Sequence, residues 1–425
     1  MTATTAPGIP VAERTENLNA LGILRQPGTV LFGPGQRRQV ARIVAGVARR
    51  ALLVTDERMA ASAEFAEIVD ALHAEGVETS VYDATEPELP RENVVEVVER
   101  YRDDGIQAVV GIGGGSCLDL AKVSAVVLAQ GGDVRDFYGE FLVPGPGIPV
   151  VTVPTTGGTG AEVTCISVIY DATRGMKVGV ASPHLEAYAA VIDPELTLTC
   201  PPGLTAATGA DALSHLIEAF TGRAKNPDSD HLQTKLYAGK NLLTDVFARQ
   251  GLSLLARSLP AVAADPSDLS ARTDTMFASY CAGMAINTAG TAGAHAIQSP
   301  IGGLTHTPHG FGIAALLPYV MRYNLPARIP EFAEIGLLLG VADPQTSEME
   351  QARAGITGIE HLLEVLGAPT DLATLGLAPR DFAFVAEQTM LATRLTANNP
   401  RPLSVDAVIA ILERGYAADR GWWTV

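Results

Sequence analysis

The chain has 425 residues, of which 47% are hydrophobic and 18% charged, with a formal net charge of −17. That length exceeds what one hydrophobic core fills, so two domains of roughly 200 residues each are expected. Acidic residues spread along the whole chain argue against nucleic acid or an anionic membrane as partner, and no apolar run reaches the ~18 residues of a membrane-spanning helix.

In chain order, residues 1–20 read as a flexible leader with neither a secretory nor a transit pattern. Short apolar runs then alternate with helical patterns: ALLVT at 51–55, ASAEFAEIVDALHAEG, TSVYD, RENVVEVVERYRDDG and AVVGIGGG. Strand, helix, strand, helix, strand is the order of a parallel sheet covered by helices, here a dinucleotide-binding α/β domain. Further strand-like runs occur at PVVTVPTT and AYAAVIDPEL, with the loop TTGGTGAE placed between them. From about Pro201 the texture becomes Ala- and Leu-rich, as in HLQTKLYAGKNLLTDVFARQGLSLLARSL, with no convincing strand. The expected division is therefore an α/β domain over 1–200 and an all-helical domain over 201–425, separated at CPPG (200–203) where Pro and Gly punctuate the pattern. Cys117, Cys165, Cys200 and Cys281 are scattered with no CxxC pair, so neither a disulfide framework nor a cysteine zinc site is expected, and a reducing cytoplasm fits.

The run Gly113-Gly114-Gly115-Ser116 joins the strand AVVGI to a helix that opens CLDLAK. Glycines let a pyrophosphate approach the backbone, and the free amides and positive end of the helix then face the anion. A tight strand-to-helix turn uses glycine for purely steric reasons too. Asp56 follows the strand ALLVT, where a carboxylate accepts from an adenosine ribose and repels a 2′-phosphate, favouring NAD over NADP; an aspartate there is equally a helix N-cap.

In GADALSHLIEAF, Asp211 and His215 are spaced i, i+4 and project from one helix face. His295 and His309, both in Gly-rich segments, are the candidates to complete a site of one carboxylate and three imidazoles, suited to ferrous iron or zinc. Each histidine taken singly also fits a core or loop role. His73, His184, His231 and His361 sit in ordinary contexts and are assigned none.

Four motifs now stand in one order: GGGSCLDLAK (113–122), PTTGGTGAEVT (154–164), ATGADALSHLIEAF (207–220) and HTPHGFGIAALLPYVMRYN (306–324). Together they resemble the iron-containing (group III) alcohol dehydrogenases over most of the chain. The resemblance implies an α/β cofactor domain, a helical domain of dehydroquinate synthase-like architecture, and a divalent metal in the cleft between them, iron before zinc. It places the metal on Asp211, His215, His295 and His309, and cofactor contacts on Gly114, Gly115, Ser116, Asp56, Thr155, Thr156, Thr159 and Lys177; Gly113 and Asp119 of the first motif are counted with them. It implies hydride transfer between a small alcohol or carbonyl substrate and NAD, in a homo-oligomer taken as a dimer.

Two departures stand out. Many members carry a histidine four residues after the third metal ligand, thought to relay protons, where this chain has Ser299; His306 is the alternative relay. At 86–90 the chain reads EPELP, where Glu88 replaces an asparagine common in relatives, and the stretch from Asn226 to Leu243 looks long. The competing readings are a dehydroquinate synthase-like lyase, a maleylacetate reductase, a transhydrogenase with tightly held nicotinamide, and a non-catalytic binding protein. The first needs Lys and Arg beside the ligands and the second dispenses with the metal, and neither fits these motifs.

Overall fold

The computed structural model describes residues 22–225 and 227–424, so the leader expected over 1–20 lies outside the described residues. The α/β part runs β1 (Thr29–Phe32), α1 (Val40–Ala45), β2 (Arg50–Val54), α2 (Glu57–Ala60), α3 (Ala63–Ala74), β3 (Glu78–Tyr82), α4 (Arg91–Tyr101), β4 (Ala108–Gly113), α5 (Gly115–Gln130), β5 (Gly139–Glu140), β6 (Val150–Pro154), β7 (Ile166–Asp171), β8 (Met176–Ala181) and β9 (Ala189–Ile192). Six strands form one parallel sheet in the order β1-β9-β6-β4-β2-β3.

Side-chain alternation splits that sheet between two cores. Leu52, Val54 and Val109 face Val94, Val97 and Leu120 of α4 and α5, while Ala51, Leu53, Val110 and Ile112 face Val44, Phe65 and Leu72 of α1 and α3. Burial on both faces is why the inner strands read as continuous apolar runs.

Two elements differ from the sequence-based expectation. The edge strand β1 was not anticipated: it is short, and its residues are half-buried or exposed. Between β6 and β9, beyond the expected loop TTGGTGAE, lies an unanticipated antiparallel hairpin of β7 and β8, which with β5 makes a second, three-stranded sheet.

From Pro202 on, every named element among the described residues is helical: α6 (Pro202–Thr221), α7 (Ser229–Thr234), α8 (Leu242–Ala264), α9 (Leu269–Ala289), α10 (Gly293–Thr305), α11 (His309–Asn324), α12 (Ile329–Leu338), α13 (Glu348–Val365), α14 (Phe382–Leu391), α15 (Thr393–Thr396) and α16 (Val405–Tyr416). Helix α6 is central, packing on α8, α9 and α11, and is buried from Thr205 almost without interruption. The run read as one amphipathic segment from His231 is broken. Residues 235–240 leave the helix, and Asn241 restarts it as the N-cap of α8, accepting from Leu243 and Thr244 amides.

The two halves meet where the loop after β6 lies on α9. Gly160, at φ 64°, touches Gly283, and a Cβ at Gly283 would stand 2.5 Å from the Gly160 carbonyl oxygen. Gly283→Ala should therefore cost about 1–3 kcal/mol, read as a lowered urea midpoint. Gly203→Ala, where nothing lies within 4 Å, should leave the midpoint at or above that of the parent chain.

Candidate active site

Helix α6 carries Asp211 and His215 one turn apart, and their atoms Oδ1 and Nε2 are 3.5 Å from each other. His295 lies in the first turn of α10 and His309 opens α11. Both turn their Nε2 to the same Asp211 oxygen, each at 3.6 Å. Gly310 permits this approach, since a Cβ there would overlap the Ala207 carbonyl on α6. The two rings of His215 and His295 stack with centroids 4.8 Å apart.

These separations are too long for good hydrogen bonds. Asp211 Oδ1 and His295 Nε2 are buried with no hydrogen-bond partner, a costly state for polar groups unless something else satisfies them. Donors of a tetrahedral site with bonds of about 2.1 Å stand about 3.4 Å apart, close to the spacing seen here. Asp211, His295 and His309 each offer an atom within 4.8 Å of the others; His215 joins this trio through its contact with Asp211.

The electrostatics suit a cation. Burial works against ionised Asp211, yet the surrounding His215, His295 and His309 hold its carboxyl well below the usual range. Burial outweighs the Asp211 and Glu218 carboxylates to keep His215 lowered, and burial together with the charge of Lys177 keeps His309 well lowered, which favours the neutral ring a metal ligand needs. His295 differs: burial opposes its charged form, but Glu218 and Asp211 together raise it to about 9.

Glu218 was missed in the sequence. It stands three residues beyond His215 on the same face of α6, accepts from the amides of Ala292 and Ala294 at 2.8 and 2.6 Å, and contacts His295 Nδ1 at 2.6 Å. It thereby fixes both the start of α10 and the orientation of the His295 ring. The 211, 215, 218 spacing was the available signal.

At the carboxyl ends of the strands, β4 delivers Gly113 (φ 154°) and Gly114, which N-caps α5 without a side chain. A Cβ on Gly113 would collide with Cys117 and on Gly115 with Thr159, while Gly114 faces Thr156. Ser116 follows in the first turn of α5. Asp56 does serve as an N-cap, its Oδ1 accepting from Met59 N at 2.8 Å; its Oδ2 remains toward Gly113 and Cys117. So Asp56, residues 113–116, Thr156 and Thr159 come together.

Other expected residues are held differently. Thr155 is wholly buried and ties the loop down, its amide donating to Gly113 O and its carbonyl accepting from Cys200 Sγ. Asp119 accepts from Val168 N and pairs with Lys122, whose Nζ donates to the carbonyls of Ala161, Thr164 and Ile166. Lys177 on β8 pairs with Glu88, and its charge reaches His309. Glu88 and Leu89 both adopt positive φ, 65° and 48°, a strain of the kind found at ligand sites. Ser299 is half-buried one turn beyond His295, and His306 ends α10 at φ 54° with its side chain exposed.

The models of two domain families match the chain: "Iron-containing alcohol dehydrogenase" over residues 27–194 and "Fe-containing alcohol dehydrogenase family, C-terminal" over 205–416. The NAD-dependent methanol dehydrogenase of Bacillus methanolicus is 32% identical over 388 residues, 91% of this chain and 98% of that relative. A crystal structure of 1,3-propanediol oxidoreductase superposes with TM-score 0.87 at 32% identity, covering 93% of this chain and all of the other. The structure of sulfoacetaldehyde reductase from Bifidobacterium kashiwanohense in complex with NAD+ does so with TM-score 0.79 at 27% identity, covering 94% and 100%. By its motifs, its parallel sheet with a helical second half, and these matches, the chain belongs to the iron-containing alcohol dehydrogenase family.

Proposed function

We propose that this enzyme is a metal-dependent, NAD-linked alcohol dehydrogenase that interconverts a small alcohol and its aldehyde or ketone. The observation that carries the metal is the set of three imidazole nitrogens around Asp211 Oδ1, with that oxygen and His295 Nε2 buried and otherwise unbonded. Asp211, His215, His295 and His309 would hold the ion, iron by family and zinc as the alternative. When bound, such a cation supplies Lewis acidity, easing loss of the alcohol proton and polarising a carbonyl in the reverse direction.

The remaining work falls to the protein. Glu218 holds the His295 ring by its Nδ1, which fixes the orientation of Nε2 toward the centre. Residues Gly113, Gly114, Gly115 and Ser116, at the positive end of α5, receive the pyrophosphate. The Asp56 carboxylate would accept from the adenosine ribose and disfavour a 2′-phosphate. Thr156 and Thr159, which pack on Gly114 and Gly115, and Lys177, whose charge acts on His309, would supply further cofactor contacts, with Thr155 and Asp119 counted among them. The cofactor carries the hydride chemistry, while the protein supplies orientation.

For the hydroxyl proton, α10 offers a route: Ser299 near His295, then His306 at the exposed end. Seven residues apart, these lie about 10 Å from each other along the helix, farther than one water spans, so a chain of waters would be needed to connect them. A division at 1–200 and 201–425 places the substrate between the two domains. The four buried, unpaired cysteines agree with a reducing cytoplasm, and a homo-oligomer is part of the same reading. No helix among the described residues is long and apolar enough to cross a membrane.

NADH formation from a panel of small alcohols should vanish on chelation and return with ferrous or zinc ion; turnover that survives complete metal removal refutes the proposal. Glu218→Gln should weaken metal affinity by about 10–100-fold, measured by competition with a chromophoric chelator. Asp56→Gly should shift the ratio of kcat/KM for NADP over NAD upward by about tenfold or more, since a repulsive charge at the ribose is removed.

A further inference from the structure

Five lysines and arginines are buried among the described residues: Arg37, Lys122, Lys240, Arg272 and Arg322. Four meet a carboxylate, respectively Asp193, Asp119, Asp245 and Glu360. Arg272, only 3% exposed, meets none among the described residues. Its Nε donates to the Pro266 carbonyl and its Nη1 to Thr205 Oγ1, while Nη2 is buried without a partner. A guanidinium does not escape this by losing its proton, and an unpaired buried charge is strongly unfavourable.

Arg272 lines a small cavity of about 10 Å³, together with Gly157, Thr197, Cys200, Thr205 and Thr275, room for one water-sized occupant. The cavity lies among the first two turns of α6 and α9, whose positive dipole ends add to the guanidinium charge. Thr208, which also lines the cavity, Thr197 and Thr275 all spend their hydroxyl hydrogens on backbone carbonyls. Thr205 accepts from Arg272, so its own hydrogen is free. The donors left for an occupant are thus Arg272 Nη2 and the Thr205 hydroxyl. Among the described residues the one ionisable group close enough to matter is Cys200, and its thiol donates to the Thr155 carbonyl at 3.2 Å, with burial pushing it further toward the neutral form. Among the described residues, therefore, no counter-charge is supplied.

We propose that this cavity binds a single monatomic anion of chloride size. A water would satisfy a hydrogen bond but leave the charge uncompensated, and a phosphate or sulfate exceeds the space. The site is separate from the metal residues and does not depend on the reaction proposed above. Through Gly157 and the Cys200–Thr155 hydrogen bond, its occupant would brace the 155–159 loop.

The test uses the full chain. Thermal unfolding in sodium chloride and in sodium gluconate at equal ionic strength should differ by about 2 °C or more in favour of chloride, and Arg272→Met should abolish the difference. Thr205→Val, a milder change, should reduce it. Crystals of the unaltered chain grown in sodium bromide should show an anomalous peak at hydrogen-bonding distance from Arg272 Nη2. Equal midpoints in the two salts, a chloride effect that persists in the Arg272 variant, or a density there with no anomalous signal would each overturn the proposal.

Discussion

The organisation of the helical half turns on one carboxylate oxygen. Asp211 Oδ1 sits within 3.5–3.6 Å of three imidazole nitrogens contributed by three helices, in a core from which water is largely excluded. Without a cation this is an unfavourable arrangement: a buried carboxylate, a second one at Glu218, and rings that do not bond to the first at good distances. With a cation bound each of these donors would become a ligand, and binding energy would become folding energy. The geometry of α6, α10 and α11 is then intelligible as the frame that keeps four donors in place.

That frame is made by close backbone approach. Gly310 lets α11 lie against the Ala207 carbonyl, which brings His309 to Asp211. Glu218 clamps the beginning of α10 by accepting two of its amides, and the same carboxylate orients His295. On the other side, Gly160 against Gly283 brings the 155–160 loop onto α9, and the same loop packs through Thr156 and Thr159 on Gly114 and Gly115. Lys122 is the internal strut of this arrangement, bonding α5 to three carbonyls of the neighbouring segment. The lysine of GGGSCLDLAK is thus structural, although it stands in the motif that marks the cleft.

How much of this could be read from the amino acids depended on whether the physical cause was local. The strands β2, β4, β6 and β9 were legible because burial on both faces demands unbroken apolar runs. β1 was not, being a four-residue edge with no fully buried residue. The β7–β8 hairpin had a local signature, since ISVIYD alternates and Gly175 turns the chain at φ 62°, but the neighbouring glycine loop overshadowed it. The helix break at 235–240 is a tertiary effect: Leu236 N donates to Glu140 and Ala238 N to Thr288 O, contacts that no helical periodicity reveals. Among site residues, the Asp211 and His215 pair follows from helical spacing alone, whereas His295 and His309 needed their small-residue surroundings as a hint. Glu218 had the right spacing, one turn beyond His215, but was assigned no role, and the isolation of Arg272 is visible only in three dimensions.

The most direct test of the metal centre is crystallographic. Anaerobic crystals loaded with ferrous ion, with data collected on both sides of the iron absorption edge, should give one strong anomalous peak at about 2.0–2.3 Å from Asp211 and from the Nε2 atoms of His215, His295 and His309. A peak absent from that position, or an ion bound instead through Glu218 or His306 with Asp211 uninvolved, would contradict the account.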